Sequence, residues 1–152
     1  MFSEFLNENK SNRLAKKEEE IKLVSFDMDN TLSFNTYDGA IPRPTYVQAF
    51  KDHLNKGRTV IIVTSRQQST QDREQISDFL DDNGLPESEV YYTNSQLKAD
   101  SLVKLGVDLH YDDDNREISA LGKTNIDYIV SFDDDLVKLY QQEDGISVNY
   151  DM

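Results

Sequence analysis

Four times the chain runs from a helix-length amphipathic pattern through a glycine into a short apolar stretch, at Gly57, Gly84, Gly106 and Gly145. A glycine at that point suits the left-handed residue that ends many helices. The apolar stretches are strand-like: "IKLVSF" (21–26), "RTVIIV" (58–63), "EVYYT" (89–93), "VDLHY" (107–111), "NIDYIVSF" (125–132) and "ISVNY" (146–150). The unbroken β-branched run at 60–63 is typical of a strand covered on both faces. Helical spacing appears between them, in Val47, Phe50 and Leu54, in Ile76, Phe79 and Leu80, and in Leu97, Leu102 and Leu105. Shorter helices are predicted in "NREISALG" and "LVKLYQQEDG". This alternation predicts an α/β fold, a three-layer doubly wound parallel sheet with helices on both faces.

Two segments break the pattern. Residues 33–44, "SFNTYDGAIPRP", are turn-rich and read as a loop or small hairpin directly after the first strand. Residues 1–20 are a charged segment with no clean apolar stripe, read as a solvated or frayed lead-in, or a charged helix at "KKEEE". Residues 21–152 are then one domain, as expected for a chain of 152 residues.

Composition narrows the function. The chain has no Cys, which excludes disulfides and thiolate metal sites and suits a reducing compartment. A net charge of −13 argues against nucleic acid binding over the whole surface, although a local contact is compatible with it. The N-terminus lacks a signal-peptide core, and the longest aliphatic run is far short of the ~20 residues that span a bilayer. A cytoplasmic protein without a membrane partner is expected.

In open α/β sheets, ligands bind beyond the carboxyl ends of the strands. The residues predicted there are Asp27, Asp29 and Thr31, then Thr64, Ser65 and Arg66, then Asp112, Asp113 and Asp114, with Lys98 opening the helix before the fourth strand. Gathered carboxylates repel and raise at least one pKa. Mg²⁺ resolves this, since it takes oxygen ligands and commonly joins carboxylates to a phosphate. Counted as an EF-hand loop, the first cluster fails, because the glycine and glutamate positions fall on Leu32 and Asp38. A receiver-like domain also uses Asp and Mg²⁺ but leaves Asp-x-Asp-x-Thr unexplained. The two histidines, His53 on the polar side of its helix and His110 opposite Leu109 and Tyr111, read as bystanders.

"FDMDNTL", "VIIVTSR", Lys98 in "QLKADSLVKLG" and "LHYDDD" together resemble the haloacid dehalogenase-like (HAD) hydrolase superfamily, in family order over residues 21–114. The resemblance implies that Asp27 is the nucleophile, forming an aspartyl-phosphate, and that Asp29 is the general acid and then the base. It implies Mg²⁺ as cofactor, held by Asp27, the backbone of Asp29 and the acidic pair Asp112 and Asp113. Thr64, Ser65, Lys98 and Asn30 would bind phosphate, with Thr31 as a substrate contact. Arg66 reads either as a fork for a substrate phosphate or as the partner of Asp72 or Glu74 at a helix start. Asn30 stands where the family often has Gly, and Lys104 is the fallback for Lys98.

The string "VSFD" occurs twice, at 24–27 and 130–133. Only the first is followed by a hydroxyl residue at the family spacing. The second runs into a helical pattern, where Asp133–Asp135 serve as an N-terminal cap. The last acidic pair is therefore read as Asp112–Asp113, with Asp133–Asp134 as the alternative.

Neither place where family members carry a cap domain has room for one here, so a capless, open site is expected. The run "GRTVIIVTSR" to "DDNGLP" is also similar to the phosphatase domain of polynucleotide kinase-phosphatases, which implies a nucleic-acid 3′-phosphate as substrate. A small phosphate ester is the other substrate class. No kinase P-loop sequence occurs. The competing reading is a binding or scaffold protein on the same fold.

Overall fold

A computed structural model describes residues 11–36, 39–131 and 148–149 of the chain. The predicted strands β1 (Leu23–Phe26), β4 (Thr59–Thr64), β5 (Val90–Tyr92), β6 (Leu109–Asp112) and β7 (Asp127–Val130) form one sheet in the order β5-β4-β1-β6-β7. Every pairing in it is parallel. Counting the parallel strands alone, the order is 3-2-1-4-5, the first five strands of a Rossmann-type sheet. A receiver-like sheet runs 2-1-3-4-5, so that alternative falls on topology.

Alternation along the strands splits the core in two. Val24 and Phe26 of β1, Val60 and Ile62 of β4, and Leu109 and Tyr111 of β6 face α1 (Pro44–Asn55) and α2 (Thr70–Asp82). On the other face, Ile61 and Val63 pack with Leu102 of α3 (Ala99–Leu105) and Leu121 of α4 (Asn115–Leu121). Phe26 stacks on Tyr111 with ring centroids 4.2 Å apart. The three-layer expectation holds. Gly57, Gly84 and Gly106 have φ of 79°, 69° and 77°, as their helix-end positions require. Gly145 and the "LVKLYQQEDG" helix lie outside the described residues.

The turn-rich segment is a hairpin, β2 (Ser33–Thr36) and β3 (Gly39–Pro42), paired antiparallel. The two described residues of the predicted last strand, β8 (Val148–Asn149), pair antiparallel with β2 and not with the parallel sheet. No further domain is inserted among the described residues.

Three details differ from the sequence reading. Leu97 precedes α3 and is exposed rather than part of its apolar stripe. The charged lead-in is only partly free. Glu18–Glu20 form an exposed 3-10 turn, but Arg13 pairs with Tyr128 on the open edge of β7, at 2.9 and 3.0 Å. Its guanidinium binds the carbonyls of Leu121, Thr124 and Ile126. A strand edge with open N–H and C=O groups is a hazard, and this segment covers it. Finally, His53 faces inward: it is buried, with Nε2 2.8 Å from the Tyr111 hydroxyl and Nδ1 2.9 Å from Arg58 Nη1.

Candidate active site

The strand order reverses between β1 and β6, whose following connections run to β4 on one side and to β7 on the other, so a crevice opens beyond these ends. Asp27 extends the β1–β6 ladder by one residue, its N–H bonded to the Tyr111 carbonyl at 2.9 Å. The chain then turns sharply. The Met28 carbonyl accepts from the N–H groups of Leu32 and Ser33, and Asn30 sits at φ 62°. Asn tolerates that left-handed conformation and Gly adopts it freely, which accounts for Asn30 at a position where Gly is common in the family. Buried Arg43 secures the turn, donating Nη1–H to the Asn30 carbonyl at 2.6 Å between the rings of Phe34 and Tyr46.

Both Asp27 oxygens are held. Lys98 Nζ lies 2.8 Å from Oδ1, and the Thr31 hydroxyl lies 3.3 Å from Oδ2 and 2.7 Å from Ser131 Oγ. Lys98 Nζ also lies 2.6 Å from Asp112 Oδ2. Asp112 takes a second bond on Oδ2 from His110 Nε2, at 2.8 Å, and one on Oδ1 from the Asp114 N–H, at 3.1 Å. Glu117, in the first turn of α4, accepts the Lys98 backbone N–H at 2.8 Å. Lys104, the fallback, is exposed.

This geometry sets the charges. Carboxylate oxygens of Asp27, Asp112 and Asp113 lie within 4.8 Å of one another. Burial and then the Asp112 charge push the Asp27 carboxyl well above the ordinary range, against the opposing pull of Lys98. Burial and Asp112 push Asp113 up to about 7. Burial would raise Asp112 too, but Lys98 and His110 hold it well below the usual carboxylate range. Lys98 stays protonated, since Asp112 and Asp27 outweigh its desolvation. Two buried carboxyls beside a third, ionised one form a donor set in which a cation would offset the gathered negative charge. The oxygen-only set suits Mg²⁺. Asp27 and Asp113 fit as ligands better than Asp112, whose oxygens already take three hydrogen bonds.

The second carboxylate of the motif is set apart. Arg66 grips Asp29 with Nε at 2.9 Å from Oδ2 and Nη2 at 2.6 Å from Oδ1, and Asn35 of the hairpin adds a bond at 2.8 Å. Arg66 also reaches Asp72 at 3.3 Å, one of the two acids suggested for it by sequence. Thr64 ends β4 fully buried, its hydroxyl accepting the Arg66 N–H at 3.2 Å. Ser65 is half-buried, and its carbonyl accepts the Ser95 N–H at 2.8 Å, tying the loop before Lys98 to this strand end.

The structure thus brings Asp27, Thr31, Lys98, Asp112 and Asp113 into one cluster, with Asp29, Arg66 and Thr64 beside it. Two sequence expectations change. Thr31 is fully enclosed, so its hydroxyl holds Asp27 instead of meeting a substrate. His110 is fully buried between Asp112 and Ser25, whose Oγ lies 2.6 Å from Nδ1, so it is a hydrogen-bonded neighbour of the cluster. Glu117 and Asn35 were also missed, one looking like an ordinary helix-start acid and the other like a turn residue. Asp133 and Asp134 lie outside the described residues.

The fold is that of the haloacid dehalogenase-like phosphatases, capless among the described residues. Two solved structures of the Pnkp1/Rnl/Hen1 assembly, one described as an RNA repair complex, contain chains similar to this one. The TM-scores are 0.63 and 0.62 at 17% and 19% identity, over 79% and 80% of this chain. This chain spans about half of each, 49% and 46%. D,D-heptose 1.7-bisphosphate phosphatase from B. bronchiseptica, solved with magnesium and phosphate, is similar at TM-score 0.55 and 15% identity, over 72% of this chain and 80% of that one. No protein-family model and no curated protein sequence matches.

Proposed function

We propose that this protein is a Mg²⁺-dependent phosphomonoester hydrolase that works through an aspartyl-phosphate on Asp27. The observation that carries this reading is the position of Lys98, bonded at once to Asp27 and Asp112 in a buried cluster of acids. A lysine placed this way offsets the charge on a nucleophilic carboxylate and has a third N–H to offer a phosphoryl oxygen.

Asp27 attacks phosphorus through a carboxylate oxygen. The bond to the leaving oxygen breaks as Asp29 gives it a proton, and the alcohol departs. Asp29 then takes a proton from water as the water oxygen attacks phosphorus, releasing inorganic phosphate and free Asp27. Thr31 and Lys98 orient the nucleophile throughout. Asp27, Asp113 and the Asp29 carbonyl would hold Mg²⁺, which would supply positive charge to offset that of the phosphoryl group.

The substrate side is a cleft of about 560 Å³ between the hairpin and α2, with Met28, Asn35, Arg66 and Phe79 among its walls. Both partners of Asp29 line it, so the leaving group belongs there. Two substrate classes fit an uncapped site. A nucleic-acid 3′-phosphate is supported by the likeness to chains of an RNA repair complex. A small ester is supported by Asp78 and Asp82 on the cleft wall, which disfavour an anionic leaving group. The test is turnover of p-nitrophenyl phosphate with and without Mg²⁺, then of 3′-phosphorylated oligonucleotides, nucleotides and sugar phosphates. Mg²⁺-dependent release of phosphate that disappears in Asp27→Asn is expected. No turnover across the panel overturns the enzyme reading and leaves the scaffold.

A further inference from the structure

Ser25 and His110 are directly paired across β1 and β6, on the sheet face that packs Ile61, Val63 and Leu102. Both are fully buried. An apolar pair would serve this face better, since burying a hydroxyl and an imidazole costs free energy that one hydrogen bond only partly returns. The pair is therefore not explained by sheet stability.

Its geometry points upward to the site. Asp112 is an anion, so the ring atom facing it at 2.8 Å donates, and His110 carries its proton on Nε2. Nδ1 then accepts, and its neighbour at 2.6 Å is the Ser25 hydroxyl. The serine thereby selects the tautomer. Asp112 Oδ2 is shared between His110 and Lys98, and Lys98 reaches Asp27 at 2.8 Å. Glu117 Oε2 is 4.0 Å from Nζ, too far for a hydrogen bond. The third N–H of Lys98 is thus left without an acceptor of that cluster.

We propose that His110, seated by Ser25, is a positioning residue for phosphoryl transfer: it fixes Asp112, and Asp112 holds Lys98 aligned between the nucleophile and the incoming phosphoryl group. Without the Nε2–H donor, Asp112 is free to turn toward the cation site, and Lys98 collapses onto Asp27 as a closed ion pair. The effect falls on the chemical step, not on substrate capture. The proposal rests on the phosphatase reading.

The experiment compares wild type, His110→Leu, His110→Gln and Ser25→Ala on p-nitrophenyl phosphate with saturating Mg²⁺, with melting temperatures measured alongside. His110→Leu is expected to lower kcat roughly 10- to 100-fold, the usual cost of losing such a supporting partner, with KM within about twofold of wild type by the argument above. His110→Gln, whose amide N–H can replace Nε2–H, is expected to recover most of that loss. Ser25→Ala should fall between them. In ¹⁵N-labelled wild type, the imidazole correlations should show the Nε2–H tautomer, lost in favour of a mixture in Ser25→Ala.

Wild-type kcat in His110→Leu overturns the proposal while the phosphatase reading stands. So does an Nδ1–H tautomer, or a kcat loss that follows melting temperature and is not rescued by Gln. Absence of any turnover by wild type instead overturns the phosphatase reading, and this proposal with it.

Discussion

Arg66 and Asp29 form a forked ion pair, two hydrogen bonds of 2.9 and 2.6 Å between a guanidinium and the carboxylate assigned as general acid. Fork-to-fork geometry fixes the orientation of the carboxylate, so in the proposed reaction Arg66 positions Asp29 against the leaving group.

Leaving-group dependence tests this. p-Nitrophenolate departs with little help from a proton, whereas an alkoxide needs one. Asp29→Asn is expected to reduce kcat on alkyl phosphates by about 10²- to 10⁴-fold, the range of general acid catalysis, and to affect p-nitrophenyl phosphate much less. Arg66→Ala should show the same preference in weaker form, because it disorients Asp29 without removing it. Equal losses on both substrates would place Arg66 on the phosphate itself.

Lys98→Met should be silent in kinetics, with activity below detection, and destabilised. Lys98 is the cation buried among Asp27, Asp112 and Glu117, and breaking a buried pair costs about 3–5 kcal/mol. Thermal unfolding with and without Mg²⁺ reads this. The metal should recover part of the lost stability, since it substitutes positive charge in the same cluster.

Asp113 sets the pH dependence of the metal. Burial and Asp112 raise its carboxyl to about 7, so it holds a proton in the metal-free protein over most of the acid range. Binding must displace that proton. Calorimetry at pH 5.5 and 7.5 is expected to find Mg²⁺ about 25-fold weaker at the lower pH, as displacing one proton from a group at about 7 requires. The same raised value makes the metal-free fold lose stability as pH rises from the ordinary carboxylate range through about 7.

His53 acts in the opposite sense and away from the site. Burial, then Arg58 and Lys56, lower it to about 4, outweighing Asp52 and Glu18. Arg58 donates to Nδ1, so the neutral ring donates Nε2–H to the Tyr111 hydroxyl, and a second proton would face a guanidinium. The unfolded chain binds that proton near pH 6.5. Stability from this group is complete above about pH 6.5, falls as pH drops toward 4 and then levels off. Denaturant titrations of wild type and His53→Gln between pH 4 and 7 should differ in slope, with the variant flatter.

Much of this was legible before any coordinates. Strand–helix alternation and the glycines at helix ends are local signals, and they placed five parallel strands correctly. Asp27, Lys98 and Asp112–Asp113 were legible because each follows a strand or opens a helix, and a parallel sheet delivers such positions to one edge.

What the sequence determined by itself was the list of groups available at the carboxyl edge, since strand register and helix length follow from patterns a few residues long. What only tertiary structure decided was their pairing. Arg66 on Asp29, His110 beneath Asp112, His53 under Tyr111 and Arg13 on the edge of β7 join residues 37, 2, 58 and 115 positions apart. Even the nearest of these depends on burial of a strand face that alternation alone presents as polar. Each such partner is selected by the cost of leaving a buried charge or hydrogen-bonding group alone, and that cost exists only once the layers have closed.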